Sequence, residues 1–480
     1  MEKAASFEFN RSGEDASRKG LLALVNTRTA FYSFSLFMLV SFIIIQLRYG
    51  AAASVDARDA LTDAVVEGAS GDKGRQIFYF AIFFAIAWVT VISAKPVAWI
   101  PISIPYNLAC MWCLISFVWA IDPSIAFRRA LGMYIILLAV AWSIQSLGAA
   151  RSLHAIYLLL AGALIVSFIS VALSSMSIFS FAVHPSDEMD ASLVGAWRGV
   201  FLHKNVAGAV MVHAAVFFFH HAINMKRKAD WLFFAMSMIF LYFTKSKTSL
   251  GWFALVLSFG LLFRYLAIRR ANIIFTIIFL IIVASLGVFA WALWDRVLAF
   301  FSDAENLSGR IGIWTSLLPY IEQHPLLGSG YGSFWAIGFD SPIFELARED
   351  YVAAVGHSHS GYIEVFLTTG AIGFSLAMIA LIIVPFYRFV TAMHQDARLA
   401  AMLFSIWLFG ILQNFTEAQF FAADKQSWIF VVVAITIMHN RFVLWRKGMV
   451  DRLGATAWPK PLVPAYRLPA QPVDLAALRS

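Results

Sequence analysis

The segment Gly356-His357-Ser358-His359-Ser360-Gly361-Tyr362 sets two imidazoles at alternate positions directly ahead of an apolar run. Two histidines so placed could ligate a metal, but no third ligand stands at a recognisable spacing, which disfavours zinc. A neutral imidazole here is better suited to accept a proton from a hydroxyl nucleophile near neutral pH. Upstream, Ser308-Gly309-Arg310-Ile311 reads as a helix start that aims backbone N–H groups and a guanidinium at an anion, an arrangement that holds phosphate oxygens. Arg198 opens the block Trp197-Arg198-Gly199-Val200-Phe201-Leu202-His203-Lys204-Asn205. Alone it reads as interfacial snorkelling. His203, Lys204 and Asn205 follow it into an apolar segment, where ionisable side chains must face a protein interior or a wet cavity. Lys245-Ser246-Lys247-Thr248 is a solvated hairpin tip if taken alone, and its interest is that Lys247 adds positive charge to the same face.

The scaffold for these residues follows from composition. Of 480 residues, 61% are hydrophobic and 13% charged, roughly half the charged share of a soluble domain. The apolar residues come in long blocks, which argues for lipid as the solvent. At roughly 17 to 25 apolar residues per crossing, spans are expected near 29–47, 77–93, 102–121, 131–147, 154–174, 200–220, 230–244, 248–264, 272–294, 364–386, 399–415 and 427–440. The fold class is an all-α polytopic membrane protein of about twelve helices. Its divisions are a tail 1–28, helices within 29–294, a loop 295–361, helices within 362–440 and a partly disordered tail 441–480.

Orientation comes from the placement of cations, since Lys and Arg near span ends prefer the cytoplasm. The first apolar block, 29–47, is long enough to be kept as an anchor, which leaves the amino terminus cytoplasmic. Lys95, Arg151, Lys226-Arg227-Lys228, Arg264, Arg269, Arg270, Arg388, Arg398 and the cations of the carboxyl tail then fall on the inner side. The loop 295–361 falls outside, with eight acids against three arginines. Its aromatics, the helix-like run Ile311 to Gln323 and the turn Gly328-Ser329-Gly330-Tyr331-Gly332 predict a folded cap and not a disordered linker. The net charge of +8 is spread in short clusters between apolar blocks, so nucleic acid is not expected as a partner. Cys110 and Cys113, the only cysteines, lie inside an apolar segment and read as helix packing.

In His359-Ser360-Gly361-Tyr362 through Thr369-Gly370-Ala371-Ile372-Gly373, the chain resembles the bacterial O-antigen ligase and polysaccharide polymerase superfamily. Arg310-Ile311-Gly312-Ile313-Trp314, the glycine-rich turn at 328–332 and the Arg198 block carry the same resemblance, the last looking most like succinoglycan-type exopolysaccharide polymerases. Two positions depart from the pattern: Ser360 stands where Asn is common, and Ser246-Lys247 where Ser-Arg is usual, which keeps the charge but loses the bidentate fork.

The resemblance implies a cofactor-free, metal-independent, inverting glycosyltransferase in the bacterial inner membrane with a periplasmic active face. Its donor would be an undecaprenyl-diphosphate-linked oligosaccharide, and a flippase and a chain-length regulator would be its protein partners. His359, Arg310 and Arg198 would be catalytic, while Lys247, His203, Lys204, His357 and Ser360 would contact substrate. Polymerase is the expected role, with transfer of finished glycan to a lipid A core as the alternative. A transporter or flippase is the alternative of another class, but it should concentrate its ionisable residues near mid-bilayer.

Overall fold

The computed structural model describes residues 32, 34, 35, 73–92, 101–176, 179–185, 193–293, 309–353, 355–422 and 425–446. The expected first span 29–47, the connection 51–72, Lys95, the loop segment 295–308 and the carboxyl tail from 447 lie outside them, apart from the helical residues Tyr32, Phe34 and Ser35.

Among the described residues the chain is helical throughout and forms no strand. The helices are α1 Lys73–Ile92, α2 Ile104–Ile115, α3 Pro123–Leu147, α4 Ala149–Ser174, α5 Lys204–Met225, α6 Lys228–Phe243, α7 Lys247–Ile268 and α8 Asn272–Ala292. They continue with α9 Arg310–Gln323, the single turns α10 Ile343–Leu346 and α11 Asp350–Ala353, α12 Gly361–Met378, α13 Val384–Ala392, α14 Ala397–Gln413 and α15 Gln426–Arg446. A π-helical stretch, Ile379–Ile383, joins α12 to α13, and Trp407 Nε1 donates to the Leu381 carbonyl there at 2.8 Å.

Six of these helices, counting Gly361–Ala392 as one, are long and apolar enough to cross a membrane. Shorter apolar helices cover 76–88, 104–118, 272–285 and 397–413. The chain is thus an all-α, multi-pass membrane protein. The centre of the bundle is α5, where 83% of the span is buried, with α15 at 72% and α14 packed between them, while α7 at 33% faces outward.

Lipid offers no partner for a stray backbone polar group, so irregular chain must be satisfied internally. At one end of the bundle Asp230, fully buried, accepts from Tyr157 Oη at 2.8 Å and faces His221 Nδ1 at 3.3 Å. Asp396 caps α14 and pairs with Arg441 at 3.6 Å. The described cation clusters expected on the inner side, from Arg151 to Arg446, lie at helix ends on this same side. The histidine segment lies at the opposite end, where α3, α5, α7, α12 and α15 begin and α2, α6 and α14 finish.

Candidate active site

The loop between α8 and α12 closes over that end. Its own apolar core is Ile313, Leu317, Phe334, Trp335, Ile343 and Val352, packed on Leu367 of α12. Two glycines of the sequence signature explain how it docks. Gly370 interrupts α12 with a φ of 64°, and a β-carbon there would stand 2.1 Å from the Leu326 carbonyl. The broken turn admits loop backbone: Ala371 N donates to Pro325 O at 2.8 Å and Ser329 N to Leu367 O at 3.0 Å. Only glycine combines that φ with so close an approach. Beyond it the loop is pinned by Tyr331 N to Ser116 Oγ at 2.8 Å and by Arg129, whose guanidinium donates to the carbonyls of Gly332, Trp335 and Ala336 at 2.6, 2.8 and 2.8 Å.

Gly361 performs the second docking. Its N–H donates to Asn414 O at 2.8 Å, and a β-carbon would meet the Asn414 side chain at 1.9 Å. The first turn of α12 therefore lies flush against the connection between α14 and α15. Ser360 caps the helix, its Oγ accepting from Ile363 N at 3.5 Å and donating to Asn414 O at 3.4 Å. These contacts put His359 beside Glu417, a residue of that connection. His359 Nδ1 is 3.7 Å from Glu417 Oε2, an ion-pair contact longer than a hydrogen bond, and the His359 side chain is 28% exposed.

Glu417 is the hub of the cluster. Its Oε1 accepts from Arg310 Nη2 at 3.0 Å and from Asn205 Nδ2 at 2.9 Å. Arg310, at the start of α9 after left-handed Gly309, also donates Nε–H to Thr416 O at 3.0 Å. Asn205 in turn receives the Ser246 hydroxyl at 3.4 Å. Burial by itself would raise the Glu417 carboxyl, but His359, Arg310 and His357 outweigh it and hold the group down at about 2. The carboxylate is ionised at any physiological pH, so it can steady an imidazolium that forms when His359 takes a proton.

The His357 ring lies against that of His359, tilted by 56° with centroids 4.1 Å apart, and its Nδ1 accepts from His359 N at 3.2 Å. Glu364 fixes the same turn, accepting from Ser358 N at 2.9 Å and Trp335 Nε1 at 3.1 Å. His359 itself has a φ of 54°, a left-handed conformation that is uncommon outside glycine and marks a constrained position.

Arg310, His359 and His357 thus converge. Ser360 serves as a helix cap. Arg198 donates to the carbonyls of Phe181 and Leu202, the latter at 3.1 Å, and so shapes the chain ahead of α5. His203 caps α5 by accepting from Asn205 N at 3.2 Å, and its ring lies 5.4 Å from that of His184. Lys204 is buried beside it, whereas Lys247 is exposed at the start of α7. Sequence reading gave no role to Glu417 or Asn414 and placed Asn205 in a motif without a partner. The available signal was the polar interruption Gln413-Asn414-Phe415-Thr416-Glu417 between two apolar blocks.

The O-antigen ligase family model matches residues 231–378, a stretch that carries Arg310 and His359 but leaves Asn205 and Glu417 outside. Over 316 residues, 63% of this chain and 68% of the relative, the sequence is 24% identical to the "Exopolysaccharide production protein ExoQ" of Rhizobium meliloti (strain 1021). With the histidine, arginine and glycine signatures meeting at one end of a helical bundle, these likenesses support a relationship to the O-antigen ligase and polysaccharide polymerase superfamily.

Proposed function

We propose that the protein is a polysaccharide polymerase that joins undecaprenyl-diphosphate-linked repeat units during exopolysaccharide biosynthesis. The observation that carries this reading is the contact of His359 with the ionised Glu417, which also anchors Arg310. Such a cluster offers a base for an acceptor hydroxyl and a fixed cation for the oxygen that becomes negative as the diphosphate departs. His359 takes the hydroxyl proton and Glu417 steadies the resulting cation. Arg310 supplies positive charge near the leaving group without a metal. The hydroxyl attacks opposite the diphosphate, so the anomeric centre inverts. Arg198, His203 and Lys204 shape the start of α5, and Lys247 adds charge beside it. The basic helix ends lie remote from His359, which supports a periplasmic active face, and the family likeness supports an inner-membrane location.

Polymerase is preferred over ligase because the matched relative is named for exopolysaccharide production. The ligase reading keeps support from the family model's own description. A reconstituted assay separates them: lipid-linked repeat units alone should give a ladder of chain lengths with and without a chelator. Product that appears only when a lipid A core is added would establish the ligase, and inhibition by the chelator would remove the metal-free mechanism.

A further inference from the structure

The two oxygens of Glu417 have different tasks. Oε1 accepts from Arg310 at 3.0 Å and from Asn205 at 2.9 Å, while Oε2 is the oxygen that faces His359. With one donor on Oε1 the carboxylate could still turn about its own bonds and carry Oε2 away from the imidazole. Two donors from different helices, Arg310 on α9 and Asn205 on α5, remove that freedom.

Asn205 is itself held from two further directions. Its backbone N–H donates to the His203 cap. A carboxylate can only accept, so the amide nitrogen must turn to Glu417 and the amide oxygen to Ser246, whose hydroxyl lies 3.4 Å away in the turn between α6 and α7. Ser246 Oγ is also 2.9 Å from Ser249 Oγ. A hydroxyl has one proton to give, so when Ser246 gives it to the amide the second bond comes from Ser249. Both serines are buried, at 3% and 2% exposure. Gly208, three residues beyond Asn205 on the same face of α5, is what lets them reach it. A β-carbon there would stand 2.8 Å from Ser246 Cβ and 3.0 Å from Ser249 Oγ.

We propose that Asn205 is a positioning residue for the transfer: hydrogen bonds running from Ser249 through Ser246 and Asn205 hold Glu417 so that its Oε2 stays on His359. Through these serines the start of α7 governs the catalytic base from the far side of α5. If the amide served only to satisfy buried polar groups between two helices, its loss would lower stability and leave the behaviour of His359 unchanged. The inference rests on the transferase reading for its rates, and one readout is independent of that reading.

The experiment uses the full chain in lipid nanodiscs. Diethyl pyrocarbonate acylates neutral imidazole, and fragment masses separate His359 from His357, so labelling rate against pH reports how firmly Glu417 holds a proton on His359 without any substrate. The titratable groups facing His359 are Glu417, Glu364, His357 and His203, and every variant leaves them unaltered. Asn205→Ala should move the acid limb of His359 labelling to lower pH by about half a unit, or roughly threefold in proton affinity. Asn205→Gln, which keeps the amide, should recover part of the shift. Ser246→Ala should shift the limb in the same direction, and the double variant no further than Asn205→Ala alone, because the serine acts through the amide. Gly208→Ala removes no polar group and should give the Ser246→Ala result by spreading α5 from α7. If it fails to fold, the serine and glutamine variants decide. With lipid-linked repeat units, Asn205→Ala should lose roughly tenfold in kcat with donor KM unchanged.

An unmoved labelling limb in Asn205→Ala, or additive shifts in the double variant, overturns the proposal. The expected shifts in a native protein that elongates nothing keep the positioning of Glu417 and remove the transferase reading. Elongation by the native protein with an unchanged kcat in Asn205→Ala does the reverse.

Discussion

Arg310 Nη2 donates to Glu417 Oε1 at 3.0 Å, with the two side chains only 10% and 14% exposed. The same guanidinium donates to Thr416 O through Nε. Removing one partner of a buried pair leaves the other uncompensated, at a cost of about 3–5 kcal/mol. Arg310→Ala should therefore lower the melting temperature in detergent as well as abolish elongation. Lysine can meet the carboxylate but lacks a second nitrogen for the carbonyl, so Arg310→Lys should fold and yet lose roughly tenfold or more in rate. Native rates in the lysine variant would show that the fork is dispensable.

Glu417 gives a stability signature in pH. Its carboxyl is held at about 2, below the ordinary carboxylate range, by His359, Arg310 and His357 against the opposing effect of burial. A depressed carboxyl contributes stability that is complete above the unfolded value and is lost as pH falls through the folded one. The gap in thermal stability between native protein and Glu417→Gln should be constant near neutrality and close between roughly pH 4 and pH 2. A gap that persists at the acid end would mean that Glu417 is not charged in the fold.

For His359 the informative substitution is asparagine, which tolerates the left-handed backbone found there. His359→Asn should leave the melting temperature close to native while reducing the elongation rate by roughly a hundredfold or more, the range lost with a general base. A β-branched replacement such as His359→Val should also destabilise, through backbone strain alone. Comparing the two variants separates chemistry from conformation, and near-native rates in the asparagine variant would dismiss His359 as the base.

Gly370→Ala tests the loop docking. The added methyl meets the Leu326 carbonyl at 2.1 Å in a backbone conformation costly to alanine. The loop should lift from α12, and limited proteolysis should cut within 324–341 well before it cuts native protein. Protection equal to native would mean that the break in α12 is not what seats the loop.

Hydropathy and cation placement were enough to determine the class of protein, because lipid forces apolar residues into long helical runs and basic residues to one side of them. Local signatures also placed His359, Arg310 and the glycine turns, since each depends on backbone geometry within a few residues. The charge partner of His359 was not legible that way. Glu417 sits in a short polar connection after α14, and it meets His359 only because Gly361 lets the start of α12 lie against Asn414. Ser360 was expected to contact substrate and Arg198 to be catalytic, and the fold adds partners that neither motif announces: Ser360 caps α12 and Arg198 donates to backbone carbonyls. Residue type and spacing say what a side chain can do, but its competing partners are set by distant segments, so only the tertiary structure decides which role it takes.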